Sequence, residues 1–290
     1  MSTVPVEIRT LNSWAEFIES VRKGPVRILD SARQAYPHEV LFRGHANTDW
    51  RLWAPLDRRL TTWVKRPDGT LEYWSARKTQ GLAWYDNLCS RVLNQFKQAC
   101  RGVPDVDPTA TDDEYWALGR HFDLLTPLLD WTLSPYVAAF FAFAERLRYM
   151  EHGGSLAYTV KGNKGSVRVW AMAMWDEIEI PGQFEIVRAY PRASARQRAQ
   201  SGLFTRLRSE EHLEVVPYFA SRGLTDHLVA YDLPIDAASH AMRDLQLMNI
   251  TPATLFPDLH GAAWQANVDN NLIHWNSLMY DFNPDADQDP

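Results

Sequence analysis

The stretch His121–Ala144 reads HFDLLTPLLDWTLSPYVAAFFAFA, and its second half decides the fold. From Trp131 to Ala144 there is no charged side chain and most residues are apolar. Fourteen residues are too few to cross a bilayer, so the run reads as a helix buried in a protein core. Ser134 followed by Pro135 is a helix start. The serine oxygen caps free amides, and proline tolerates the first helical position. The spacing predicts a helix from Pro135 to about Tyr149. Just ahead of it, His121, Asp123, Thr126, Asp130, Trp131 and Thr132 carry polar groups toward the core. A buried carboxylate needs donors or a cation, so Asp130 must find a partner. A polar elbow before a buried helix suits an anionic ligand, because the helix amino end attracts negative charge. It equally suits a braced turn in which Asp130 and Thr132 only cap.

Outward from this centre, helical patterns dominate the first half and strand patterns the second. Ser13 starts a helix through Arg22, preceded by a short strand over Glu7–Thr10. Residues 24–37 read as a connection. Glu39–Arg43 reads as a strand ending at Gly44. Trp50–Trp63 reads as loop-rich, Leu71–Arg101 as one long helix, and Thr111 or Asp112 as the cap of a helix reaching His121. Beyond the central helix, residues 155–160, 167–173, 184–190, 203–207, 213–219 and 228–233 read as strands, with a hairpin-like loop over 161–165. A helix follows over 236–248, and 252–264 reads as helical or turn-like. The pattern predicts an α+β fold: a mixed, largely antiparallel sheet in the second half, flanked by helices. Three regions are expected: a strand-helix extension over 1–37, the main domain over 38–268 and an acidic tail over 269–290.

Composition narrows the function. The chain has 290 residues, 46% hydrophobic and 23% charged, as in a soluble globular protein. Its formal charge of −6 argues against bulk electrostatic binding to nucleic acid or anionic membrane. Two cysteines in one predicted helix, Cys89 and Cys100, point to reduced thiols, and the start shows no targeting pattern, so a cytoplasmic location is expected. Phosphate-loop, dinucleotide-fold, nucleophile-elbow and zincin motifs do not occur, and no residue set predicts a metal. The local exception to the acidic balance is the run from Arg188 to Arg208. It holds Arg188, Arg192, Arg196, Arg198, Arg206 and Arg208 without an intervening acid. It reads either as a solvated arm or as a phosphate-binding rim.

Phe42-Arg43-Gly44 and the run Thr126, Leu128, Leu129, Asp130, Trp131, Thr132, Pro135 and Ala138 resemble two signatures of the FRG-domain family. Gln200-Ser201-Gly202-Leu203-Phe204-Thr205 and Leu255-Phe256-Pro257-Asp258-Leu259 resemble two more, in the same order along residues 38–265. The family pattern ahead of the second signature is Gln-His-Tyr-Gly-x-Pro-Thr-Arg. Here Arg120, Asp123, Leu125 and Pro127 stand where that pattern has Gln, Gly, Pro and Arg. If that arginine holds Asp130, the carboxylate here needs a different cation. The order Arg43, Thr132, Gln200 is also similar to ADP-ribosyltransferases. There an early Arg holds NAD, and a late carboxylate steadies the ribosyl cation as nicotinamide leaves. This similarity is one of order and residue type.

The resemblance implies a nucleotide-binding cleft with NAD as the candidate substrate, no metal, and a role as a toxin or phage-defence effector. Arg43, Thr132 and Gln200 would be catalytic. Gly44, His121, Thr126, Asp130, Trp131, Arg196, Arg198, Phe204 and Thr205 would bind ligand. A second reading stands beside it: a non-catalytic module that binds nucleic acid or protein through residues 188–208.

Overall fold

A computed structural model describes residues 5–24, 39–66, 71–104, 106–151, 165–175, 178–189 and 195–270. In chain order the elements are β1 (Glu7–Thr10), α1 (Trp14–Arg22), β2 (Glu39–His45), α2 (Pro55–Arg59), β3 (Thr61–Lys65) and β4 (Leu71–Ser75). Next come α3 (Ala76–Gln80), α4 (Leu82–Ala99), α5 (Asp112–His121), β5 (Leu128–Thr132), α6 (Pro135–Glu151) and β6 (Ser166–Met174). The last are β7 (Phe184–Val187), α7 (Ala195–Ala199), β8 (Gly202–Leu207), α8 (Val215–Arg222), β9 (Leu228–Pro234), α9 (Ala238–Leu247), α10 (Pro252–Leu255) and α11 (Leu259–Asp269). The fold is mixed, with largely antiparallel strand pairing and flanking helices. Strands are not confined to the second half, since β1 to β5 precede the central helix.

Two sequence expectations fail for identifiable reasons. The single helix over 71–101 is instead a strand and two helices. Tyr73 and Trp74 pair across β3, and Gly81, at φ +83°, breaks the helical run between α3 and α4. The strand expected over 213–219 is the helix α8. Val215 and Val216 favour strands, but Pro217 sits in the first helical turn, where no intrahelical N–H is needed. The expected strand at 155–160, the loop at 161–164, most of the connection at 24–37, and the acidic end lie outside the described residues.

The elements form two compact units, each assembled from separated stretches of chain. One comprises residues 51–131 and 175–225. Here β8 lies between β5 and β7. Leu128, Val187 and Phe204 pack with Leu93 of α4 and Tyr115, Trp116 and Ala117 of α5. Thr111 and Glu114 close a reciprocal cap at the start of α5: each backbone N–H donates to the other side chain, at 2.8 and 3.3 Å. A buried charge braces the same unit. The Arg77 guanidinium donates to Asp57 Oδ1 at 2.8 Å and to the carbonyls of Leu207 and Ser209 at 3.1 and 2.9 Å. Tyr85 completes the carboxylate at 3.2 Å.

The other unit comprises residues 6–50, 132–174 and 226–270 of the described chain. Its strands run in the order β1-β9-β6-β2, parallel at β1·β9 and antiparallel elsewhere. Helix α6 covers β2 and β6, with α1 and α9 beside it. Ser134 caps α6 by accepting from Val137 N at 3.3 Å. Ala138, Ala139 and Ala142 on α6 are fully buried, so its backbone approaches the sheet closely. Gly44 permits that approach. A Cβ at this position would sit 2.0 Å from Ala138 O and 2.8 Å from Ala142 N. The glycine of the Phe-Arg-Gly signature is thus required by helix packing.

Gly44→Ala must displace a helix backbone and not a flexible side chain. The expected loss is about 1–3 kcal/mol or more, read as a fall in the urea midpoint with little change of slope.

Candidate functional site

The expected site residues divide between the two units. His121, Thr126, Asp130, Trp131, Arg196, Arg198, Gln200, Phe204 and Thr205 belong to the first, and Arg43, Gly44 and Thr132 to the second.

In the second unit, strand alternation sorts the signature residues. Gly44 faces α6, so Phe42 shares that face, and Arg43 and His45 point the other way. Thr132 is paired directly with Phe42 and therefore shares the α6 face. Its Oγ1 accepts from Ser134 N at 3.1 Å, and the residue is buried. Arg43 Nε donates to Nε2 of buried His45 at 3.1 Å. An acceptor Nε2 makes that ring neutral, with its proton on Nδ1. Arg43 and Thr132 thus point to opposite sides of the sheet, which is not the shared-pocket arrangement expected of an ADP-ribosyltransferase pair.

In the first unit, β5 and β8 also present two faces. On one, buried Trp131 donates from Nε1 to Oγ1 of buried Thr205 at 2.9 Å. Thr126 is likewise fully buried; its carbonyl accepts from Leu56 N at 3.1 Å. The Trp131 and Thr205 side chains and the Thr126 backbone thus serve the protein's own interior. On the other face lie Asp130, Phe204 and the end of α5. The ring of His121 meets Phe204 edge-on at 6.4 Å. Arg120 Nε donates to Asp130 Oδ2 at 3.0 Å, and the carboxylate side chain keeps 34% exposure. Arg196 Nη1, from α7, donates to the His121 carbonyl at 3.4 Å. His121, Asp130, Arg196 and Phe204 therefore come together, and Arg198 is exposed on the same short helix.

Three local details explain the departures noted in sequence. Arg120 supplies Asp130 with a cation, at the position where the family pattern has glutamine. Asp123 adopts φ +62°, a left-handed conformation that Asp tolerates better than most non-glycine residues. In the 200–205 run the positive φ belongs to Ser201, at +47°. Gly202 serves close approach instead, since its Cβ would lie 3.3 Å from Gln197 Cγ.

Gln197 is the residue that sequence reasoning missed. It is buried, and its amide donates to the carbonyls of Ala189 and Gly202. It thereby sets the turn on which Gln200 sits. Gln200 itself is half-buried, and its backbone N–H donates to Arg196 O at 2.9 Å. No motif marked Gln197; only its position three residues ahead of the turn hints at it.

Burial pushes the His121 imidazole pKa below its usual value, while the Asp130 carboxylate and the Gln197 amide act in the opposite direction and Arg196 and Arg120 reinforce the fall. Among the described residues, no group of three or more His, Cys, Asp or Glu is arranged to hold a metal. No described helix is long and apolar enough to cross a membrane.

Residues 38–151 match the FRG domain family model. The chain carries an FRG domain. The match runs from the start of β2 to the end of α6, so it includes Arg43, Asp130 and Thr132; the runs at 200–205 and 255–259 lie beyond it. No curated protein and no solved structure matches this chain.

Two outcomes test this geometry. Thr205→Val removes the acceptor of a buried indole N–H and should cost about 1–3 kcal/mol of stability, measured by chemical denaturation. For His121, the lowered native pKa means the unfolded chain binds the proton first as pH falls. Stability should therefore drop as pH descends through the ordinary histidine range. Thermal midpoints of the wild type and His121→Gln at pH 5 and 7 should show a smaller acid-side drop in the variant.

Proposed function

We propose that the protein binds a nucleotide at the His121–Asp130–Arg196 cluster, with NAD as the first substrate to test. The clustering of a partly exposed carboxylate with Arg196 is the observation that carries this reading. A dinucleotide offers two matching chemistries. Its phosphates complement the guanidinium of Arg196 and the exposed Arg198 beside it. Its ribose hydroxyls can donate to Asp130, whereas Phe204, expected to bind ligand, is buried in the core and packs only on the protein itself.

The enzymatic extension is ADP-ribosyl transfer or NAD cleavage. The bond between nicotinamide and ribose would break with its electrons going to nicotinamide. The acceptor, water or a protein nucleophile, would form the new bond at the ribose carbon and lose a proton. Asp130 is the carboxylate available to steady the cationic ribose, because Gln200 is neutral. Arg120 already neutralises much of its charge at 3.0 Å, so the geometry favours binding over rapid turnover. The effector role in toxicity or phage defence rests on the resemblance alone.

The alternative, polyanion binding through residues 188–208, is weakened by internal pairing. Arg206 is held by Glu185 and Asp113, and Arg208 by Asp86. Those two arginines brace the fold and add little outward positive charge. Arg192 lies outside the described residues.

Calorimetric titration of the purified protein with NAD and with ADP-ribose tests binding, and release of free nicotinamide tests turnover. Arg196→Ala should weaken affinity about 10- to 100-fold if it holds a phosphate, with an unchanged thermal midpoint. Absence of heat with both ligands, together with no nicotinamide release, rejects the reading.

A further inference from the structure

The first unit contains a feature that nucleotide binding does not use. Strands β3 and β4 form a two-stranded ribbon with Trp63 opposite Tyr73 and Thr62 opposite Trp74. Directly paired residues share a face, so Trp63 and Trp74 project from opposite faces. Both are unusually open for tryptophan, at 45% and 49% exposure, and Val64 is 50% exposed. A two-stranded ribbon with apolar side chains in water is marginal unless something anchors it.

This one is anchored at both feet. Asp57 precedes β3, Arg77 follows β4, and their buried ion pair ties the two ends together. Arg51 adds a clamp. Its guanidinium lies 4.8 Å from the Trp63 ring, 5.5 Å from Tyr73 and 5.8 Å from Trp53, and pairs with Glu214 at 2.5 Å.

The surroundings state the chemistry of the missing partner. Apart from Arg77, which Asp57 neutralises, the sequence from Arg58 to Lys78 holds five Lys and Arg against two acids, in a chain of net charge −6. Arg58, Arg59, Lys65, Arg66 and Lys78 are exposed around the ribbon. Lys65 lies two residues from Trp63 on the same strand and the same face, about 6.6 Å along it. Trp63 and Lys65 on one face, with Trp74 on the other and exposed Arg58, Arg59, Arg66 and Lys78 nearby, fit a strand that offers flat bases and regularly spaced phosphates. An apolar protein surface would match the rings and leave the cations without partners.

We infer that the β3–β4 ribbon is a binding platform for single-stranded nucleic acid, with Trp63 and Trp74 stacking on unpaired bases and the flanking Lys and Arg side chains meeting phosphates. Stacking on Trp rings tolerates any base, so the platform would show little sequence preference. Duplex would bind less well, because its bases are already stacked.

Fluorescence anisotropy of the full chain with labelled single-stranded oligothymidine, oligouridine and a duplex of equal length tests this. Expected are binding of one or both single strands over duplex and an affinity that falls with salt, with a log–log slope of about −0.7 for each phosphate contacted. Trp74→Ala should weaken binding about 5- to 150-fold. Trp74 stands outside the Arg51 clamp, so the fold should keep its thermal midpoint. Lys65→Glu should weaken binding and flatten the salt slope. The inference is overturned by no anisotropy change at low salt, by binding indifferent to both variants, or by binding lost only in Arg196→Ala/Arg198→Ala. It is equally overturned if Trp74→Ala changes only the sedimentation coefficient, which would make the ribbon a contact between copies.

Discussion

Inside the first unit, one guanidinium sets the terms for everything around it. Arg77 is 1% exposed, and an unpaired charge at that depth would cost several kcal/mol. Its Nη1 and Nη2 groups donate to Asp57 and to two carbonyls at the end of β8, and its charge lies 4.4 Å from the Tyr85 ring. Those partners come from α2, the β8 terminus and α4. None can shift far without leaving a buried group unmatched, and removing Asp57 alone should cost about 3–5 kcal/mol. Burial pushes the Asp57 carboxyl up from its usual range, with Arg77 and Tyr85 opposing that shift. The pair is therefore a positional constraint more than a source of net stability, and what it positions is the base of the β3–β4 ribbon.

Strand β5 plays the corresponding role for the candidate site residues. It is only five residues long, yet it carries Asp130, Trp131 and Thr132. Alternation gives these neighbours different tasks. Asp130 meets Arg120 beside His121, Trp131 turns into the interior to reach Thr205, and Thr132 receives the turn that starts α6. A signature that reads as one site in sequence is thus divided among ion-pairing, core and helix-capping work. The same division applies to Phe42-Arg43-Gly44, where Gly44 is there for the backbone of α6 and Arg43 faces the opposite side.

Much of the fold was legible in the chain. The capped start of α6 at Ser134-Pro135, the cap of α5, the strands β2, β6, β8 and β9, and the helix α9 all follow from local pattern. The misreadings arose where local preference and environment disagree. The β3–β4 ribbon was hidden because its aromatic residues fit a helical stripe as well as paired strands, and only cross-strand partners separate the two. Helix α8 was hidden by two β-branched valines whose preference is outweighed by burial of Val215, Tyr218 and Phe219 on one helical face. Of the candidate site, His121, Asp130 and Arg196 were visible as chemistry. Gln197 was not, because a buried amide that holds two carbonyls has no signature until the turn it closes is seen.

By itself, the sequence determined the class of fold, the buried central helix, the family signatures and the need of Asp130 for a cation, because each depends on residues close together in the chain. Tertiary structure decided which cation that would be, which arginines of the 188–208 run were already spent on Asp86, Asp113 and Glu185, and which face each signature residue would present. The physical reason is pairing at long range: strand register and buried charge matching join residues tens of positions apart, and no local preference encodes them.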